Sequence, residues 1–315
     1  MYLFSIIIPH YNSTPSLKLL LSSIPNDGSI QLIVIDDKST EDLTEVRQLV
    51  LARNGIFLNN TSSIKGAGTC RNLGLAQATG KWLVFADADD YFLDGAFKTM
   101  QQYTESDAEI IYFSPTSRLA GTGLTAKRHT IYARLIFYYT NTPSETNEML
   151  LRCKFMVPWS KMIKNTLVKE NNILFDEVPA SNDVMFSLKT AYYAKKVFAS
   201  PAQIYCVTSA RNTLTSKKNE QNYWARVEVF VTRYQFMYSH LDLEKYGFIL
   251  PKGLSLIATA VRQRYSPLFI FKIYSCLREH HIAVLSFKNI HHDMRQYIRW
   301  RQLVRKSASQ LWRQT

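Results

Sequence analysis

The chain has 315 residues, 46% of them hydrophobic and 20% charged, with a formal net charge of +13 at pH 7. That is the composition of an ordinary folded protein, with enough length for one large domain or two smaller ones around a full core. No run reaches the roughly 18 apolar residues of a membrane span, and Cys70, Cys153, Cys206 and Cys276 are too scattered for a zinc site or a disulfide framework, which points to a reducing compartment. The chain opens on a strand-like run, so no signal peptide is expected and a cytoplasmic location is.

The elements alternate from the start. Phe4 to Ile8 is an apolar, β-branched run, followed by a short amphipathic helix over Pro15 to Ile24 with leucines at 17, 20 and 21. Leu32 to Ile35 is the second strand. Ser39-Thr40-Glu41-Asp42 then offers hydroxyl N-caps and first-turn acids for a helix running through Val46, Leu49 and Val50. Gly55 to Leu58 reads as a strand, Ala67 to Ala78 as a helix stopped by Thr79-Gly80, Trp82 to Ala86 as a strand, Leu93 to Tyr103 as a helix and Ala108 to Phe113 as a strand. This βαβαβαβαβ pattern predicts a doubly wound sheet with right-handed crossovers. Ile131 to Tyr139 reads as a helix, residues 151–215 return to mixed α/β, and the chain is helical after about 216. The expected division is 1–115, 116–215 and 216–315, the last a helical basic region.

Three of these strands end in chemistry. Phe4 to Ile8 runs into Pro9-His10-Tyr11-Asn12, Leu32 to Ile35 into Asp36-Asp37, and Trp82 to Ala86 into Asp87-Ala88-Asp89-Asp90. In a parallel sheet these ends share one edge, where ligands bind. Acids as close as Asp87, Asp89 and Asp90 repel one another unless a cation joins them, and hard oxygen donors suit Mg²⁺ or Mn²⁺ bridging a diphosphate. Asp36 and Asp37 fit either a sugar or base contact or a cap for the next helix. Tyr11 fits either a stack on a nucleobase or the core. Lys65-Gly66-Ala67-Gly68-Thr69-Cys70-Arg71 opens the third helix, with glycines that permit close backbone approach and an N-terminus that favours anions. It lacks the Gly-Lys-Ser/Thr of a P-loop. His10 sits at the crevice edge, where local packing is the simpler reading.

Taken together, the strings Ser5 to Asn12, Val34 to Thr40, Gly66 to Gly74 and Phe85 to Tyr91 resemble the family 2 glycosyltransferases over roughly residues 3–100, with weaker likeness at Val157 to Lys161, Ile173 to Glu177, Asn182 to Phe186 and Asn212 to Thr215. The resemblance implies a GT-A-type α/β fold with a mostly parallel Rossmann-type sheet, flanking helices and a nucleotide-sugar donor, UDP-linked. It implies that Pro9, Tyr11, Asp36, Asp37, Lys65, Arg71, Asp87, Ala88 and Arg211 bind the nucleotide sugar. Asp89 and Asp87 would hold Mn²⁺ or Mg²⁺. Trp159 and Asn182 would face the acceptor, and Asp183 would be the general base of an inverting transfer, with Asp176 and Glu177 next in line. Asn182 stands where the family usually has glutamate, and Ala210-Arg211 stand where some relatives carry a basic residue or histidine. The rival readings are a catalytically silent sugar-nucleotide-binding partner of a glycan assembly complex, and a nucleotidyltransferase, for which the loop after the first strand is wrong.

The charge is uneven. From Arg262 onward, Arg262, Arg264, Lys272, Arg278, Lys288, Arg295, Arg299, Arg301, Arg305, Lys306 and Arg313 are opposed only by Glu279 and Asp293. With Ile290, Met294, Tyr297, Ile298 and Val304 near one helical face, residues 262–315 fit an anionic membrane surface, which would place the protein on the inner face of the cytoplasmic membrane beside a glycan or lipid-linked acceptor. A helix packed on the catalytic domain with a solvated basic face fits equally well. No nucleic-acid-binding signature accompanies the charge. His280-His281 and His291-His292 read as solvated or headgroup-facing rather than as metal ligands.

Overall fold

Apolar runs too hydrophobic for one solvated face set the sheet. The computed structural model describes residues 2–209 and 218–284. Its strands are β1 (Phe4–His10), β2 (Ile30–Asp36), β3 (Ile56–Asn59), β4 (Trp82–Phe85), β5 (Tyr91–Phe92), β6 (Ile110–Leu119), β7 (Lys161–Lys164) and β8 (Val197–Ser209), in the order β3-β2-β1-β4-β7-β6-β8-β5. β1, β2 and β4 are buried almost throughout, as strands covered by helices on both faces must be. β1 pairs in parallel with β2 and with β4, with Ile7 opposite both Ile33 and Phe85, so all three strands end along one edge. Among the described residues, four of the seven strand pairings are parallel.

The expected α/β fold with a mostly parallel sheet is therefore the observed one, with differences of detail. β7 is inserted antiparallel between β4 and β6, so the sheet is mixed rather than uniformly wound. The second helix begins at Thr44, not at Ser39, and Asp42 accepts from the Thr44 amide at 2.9 Å. Ser39, Thr40 and Glu41 are drawn instead to the loop after β1. The helix expected from Leu93 starts at Ala96, after Gly95 takes a left-handed φ of 76° that favours glycine, and β5 lies just before it. The helix Ala67–Gln77 packs on β1 closely enough that a Cβ on Gly74 would stand 2.5 Å from Ile7 Cγ2.

Chain contacts define two units, Met1–Val229 and Phe230–Thr315. Within the second, the described chain is helical, including Leu243–Tyr246, Leu254–Arg262 and Pro267–Glu279. The last starts with Pro267 at its first turn and Ser266 as N-cap, whose hydroxyl accepts from the Phe269 amide. Among the described residues no helix is long and apolar enough to cross a membrane.

Candidate active site at the strand ends

The loops after β1 and β2 are laced together. The buried His10 ring lies between Asp36 Oδ1 (3.1 Å from Nδ1) and Glu41 Oε1 (3.2 Å from Nε2). Asn12 donates its amide to Ser39 Oγ and accepts from the Thr40 amide, and Thr14 donates to Glu41 through both its amide and its hydroxyl. Asp36 Oδ2 accepts from the Ser39 amide. Asp36 thus holds the loop, and His10 has the packing role. Asp37, 6% exposed, accepts from Asn60 Nδ2 at 2.8 Å. Asn60 also donates to the Ile64 carbonyl, tying the segment after β3 to the same edge. Tyr11 is 40% exposed, and Lys65 Nζ stands 3.4 Å from its ring centroid, a cation over a π face beside Asp37's strand end. Pro9 precedes them in β1.

The acidic turn after β4 is the second half. Single oxygens of Asp87, Asp89 and Asp90 lie within 4.8 Å of one another, with Asp89 exposed and Asp90 buried. Asp90 Oδ1 accepts from the Thr208 amide at 2.7 Å, while its Oδ2 is buried with no hydrogen-bond partner. Burial, then the charges of Asp87 and Asp89, push the Asp90 carboxyl well above the usual carboxylate range. Three hard oxygen donors, one of them dry and unmatched, fit a Mg²⁺- or Mn²⁺-sized cation. Tyr205, from β8, accepts the Asp87 amide on its hydroxyl at 2.9 Å and fixes the turn from across the sheet. Ala88 is buried between the acids.

Arg71 joins this turn to the segment 175–183. Its Nη2 donates to Asp87 Oδ1 at 2.6 Å and its Nη1 to Asn182 Oδ1 at 2.8 Å, and it is 5% exposed. Its neighbour Asn72 pins Phe175 by accepting from the Phe175 amide and donating to the Phe175 carbonyl. Phe175 stacks on Phe186 at 3.8 Å, and both meet Phe85 edge-on. Gly68 serves this junction rather than a ligand, because a Cβ there would lie 2.2 Å from the Asp176 carbonyl oxygen. Asp183 immediately precedes the helix Val184–Tyr193. Burial raises its carboxyl above the ordinary value; the Arg71 and Lys161 charges oppose that shift, and Asp87 adds to it. Asp183 thus shares its surroundings with the acidic turn.

Two expectations change in this setting. Trp159 was expected to face an acceptor, yet it is 1% exposed and packs against Tyr132, Phe155 and Tyr205. An indole so enclosed supports Tyr205 instead of offering a surface. Lys161 was read only as part of a motif, and it proves to be a buried lysine whose charge reaches Asp183. Asn60, Asn72, Tyr205 and Lys161 were missed as site residues. Asn60 follows a strand end as Tyr11, Asp37 and Asp87 do, Asn72 and Lys161 lie within the strings that carry the family resemblance, and Tyr205 had no local signal. Arg211, residues 285–315 and with them His291-His292 lie outside the described residues.

The Glycosyl transferase family 2 model matches residues 5–170, which is 166 of 315 residues. Among curated proteins, the chain is 23% identical over 214 residues to the poly(ribitol-phosphate) beta-N-acetylglucosaminyltransferase TarS of Staphylococcus aureus, covering 66% of this chain and 36% of that protein. It is 26% identical over 203 residues to the poly(ribitol-phosphate) beta-glucosyltransferase of Bacillus spizizenii, covering 62% and 30%. The chain therefore spans about a third of the length of these relatives. Among solved structures, residues 1–349 of S. aureus TarS in complex with UDP-GlcNAc superpose with a TM-score of 0.66 at 19% identity, covering 89% of this chain and 80% of that one. The mannosyltransferase PcManGT of Pyrobaculum calidifontis in complex with GDP-Man and Mn²⁺ gives 0.50 at 15% identity, covering 87% and 79%. These structural likenesses carry the fold. With more than half of its length matched by the family model, the chain belongs to glycosyl transferase family 2.

Proposed function

We propose that this protein transfers a sugar from a nucleotide-sugar donor, UDP-linked, to a hydroxyl of a glycan or lipid-linked acceptor in bacterial cell-surface polysaccharide synthesis, with inversion at the anomeric carbon. The observation that carries the reading is Arg71. One guanidinium grips Asp87 of the acidic turn and Asn182 beside Asp183, so donor-side acids and a candidate base are clamped around one place. Tyr11 stacks on the base and Asp37 accepts from the base or ribose, while Lys65 adds positive charge beside the ring. Asp87, Asp89 and Asp90 would hold Mn²⁺ or Mg²⁺, which supplies charge stabilisation for a departing nucleoside diphosphate. Asp183 takes the proton of the acceptor hydroxyl, and the oxygen attacks from the face opposite the diphosphate.

A partly desolvated carboxyl suits that task, because burial raises its proton affinity while the two neighbouring cations keep the ionised form accessible. Asn182, held by Arg71, positions the base rather than replacing it. The sugar is of hexosyl or N-acetylhexosaminyl type, as for the glucosyl- and N-acetylglucosaminyltransferases this chain resembles. The test is turnover of a panel of UDP-, GDP- and TDP-sugars with Mn²⁺, with and without glycan acceptors. The account expects nucleoside diphosphate release that Asp183→Asn slows by about 10²–10⁴-fold. Binding of a nucleotide sugar without release from any donor would leave a silent binding protein.

A further inference from the structure

The second unit carries a surface built from none of the residues proposed for sugar transfer. On the helix Pro267–Glu279, Phe269, Ile273 and Leu277 are buried, and the opposite side presents Leu268 at 79% exposure, Phe271 at 63% and Tyr274 at 39%. Lys272 and Arg278 are exposed on the same side. The helix Leu254–Arg262 likewise exposes Leu254 at 45% and Val261 at 57%, next to Arg262. Single exposed apolar residues are ordinary on a soluble protein. Here they are large, they recur at helical spacing on successive helices, and they alternate with cations. Across residues 252–279 the charged residues are Lys252, Arg262, Arg264, Lys272, Arg278 and Glu279, five positive against one negative.

We infer that the outer face of the helix Pro267–Glu279 docks on an anionic bilayer, with Leu268 and Phe271 entering the headgroup–acyl boundary and Lys272 and Arg278 meeting lipid phosphates. Charge complementarity selects this occupant. Exposed apolar side chains set among cations suit an interface of apolar chains under negative headgroups. Each Lys or Arg near such a surface adds roughly a fivefold gain in partitioning. A self-association face would instead bring its cations against their own copies. The inference goes beyond sugar transfer and does not depend on it.

The test is co-sedimentation of the full chain with vesicles of phosphatidylcholine containing one third phosphatidylglycerol, and with pure phosphatidylcholine. Wild-type protein should bind the anionic vesicles, weaken as salt rises, and leave the neutral ones unbound. Leu268→Ser with Phe271→Ser should lower partitioning at least tenfold. Both side chains are exposed, so the melting temperature should stay that of the wild type, and the thermal shift given by UDP with Mn²⁺ should be the same in both proteins. Absence of wild-type binding overturns the inference. So does a double variant that binds as wild type, with binding lost only when residues 295–306 are neutralised, which would assign docking to that segment. A wild-type dimer that the double variant converts to monomer, without vesicle binding, would make the face a contact between copies and also overturn it. Failure of UDP to shift either protein would count against the proposed transfer and not against docking.

Discussion

Lys161 gives a stability prediction with a definite sign and window. Its side chain is 1% exposed at the start of β7; Nζ donates to the Phe155 carbonyl at 2.9 Å and lies 5.2 Å and 4.9 Å from the ring centroids of Tyr112 and Phe155. Burial lowers its pKa from 10.5 to about 7, against the opposing pull of Asp183. Between those two values the unfolded chain holds a proton that the folded chain has released, so stability rises with pH across that window. Below about pH 7 both states are charged and the cost to the fold is at its full, constant value. At about 1.4 kcal/mol per pH unit, that cost is on the order of 5 kcal/mol near pH 6 and about 2 kcal/mol near pH 9. Lys161→Met removes the cost and forfeits one buried hydrogen bond, roughly 1–3 kcal/mol at either pH. The stability difference, variant minus wild type, should therefore fall by about 3 kcal/mol, and the melting-temperature difference by roughly 6–12 °C, on going from pH 6 to pH 9. Thermal unfolding followed by circular dichroism at the two pH values reads it directly. A difference that is constant with pH, or that grows toward pH 9, would refute the reasoning. The same variant removes a charge that favours ionised Asp183, so the acid limb of its turnover–pH profile should move upward.

Asp183→Asn should lower turnover about 10²–10⁴-fold with UDP affinity unchanged, as loss of a positioned base predicts. Because burial raises the Asp183 carboxyl above 3.8, its ionisation costs the fold above that pH, so the variant should melt higher than wild type at pH 7 and converge with it below about pH 4. Arg71→Met leaves Asp87 and Asn182 without their shared donor and should cost about 3 kcal/mol, a drop of roughly 6–12 °C. Arg71→Lys keeps the charge but cannot span both partners, and should fall between the two. Asp90→Asn keeps an oxygen for the Thr208 amide while adding a donor among the acids, so its melting temperature without metal should rise and the further shift given by Mn²⁺ should shrink.

The strand ends were legible because parallel, doubly covered strands demand long apolar runs, and Phe4 to Ile8, Leu32 to Ile35 and Trp82 to Phe85 have them. The residues that follow those runs had to share an edge. What stayed hidden was pairing at long range. Tyr205 meets Asp87 across 118 residues and Arg71 meets Asn182 across 111, and no local pattern encodes either meeting. Ser39 and Thr40 misled for a related reason. They have the chemistry of a helix cap, but Asn12, 27 and 28 residues away, engages them, and the first helical amide, that of Thr44, donates to Asp42 instead. Trp159 carried a motif but no sign of depth, since an indole is equally at home against a sugar and inside a core. Asn60 sat at a fourth strand end, and was passed over because its side chain is neither charged nor aromatic.

The central claim is that Tyr11, Asp37 and the acidic turn after β4 hold one nucleotide between them. Calorimetric titration of UDP into the full chain with saturating Mn²⁺, repeated with Tyr11→Ala and Asp89→Asn, puts it to the question most directly. One UDP per chain should bind the wild type. Loss of the stacking ring should weaken that binding roughly 5–150-fold, and Asp89→Asn should weaken it in Mn²⁺ while leaving the metal-free value unchanged. Wild-type affinity in both variants would mean that nucleotides bind elsewhere, if at all.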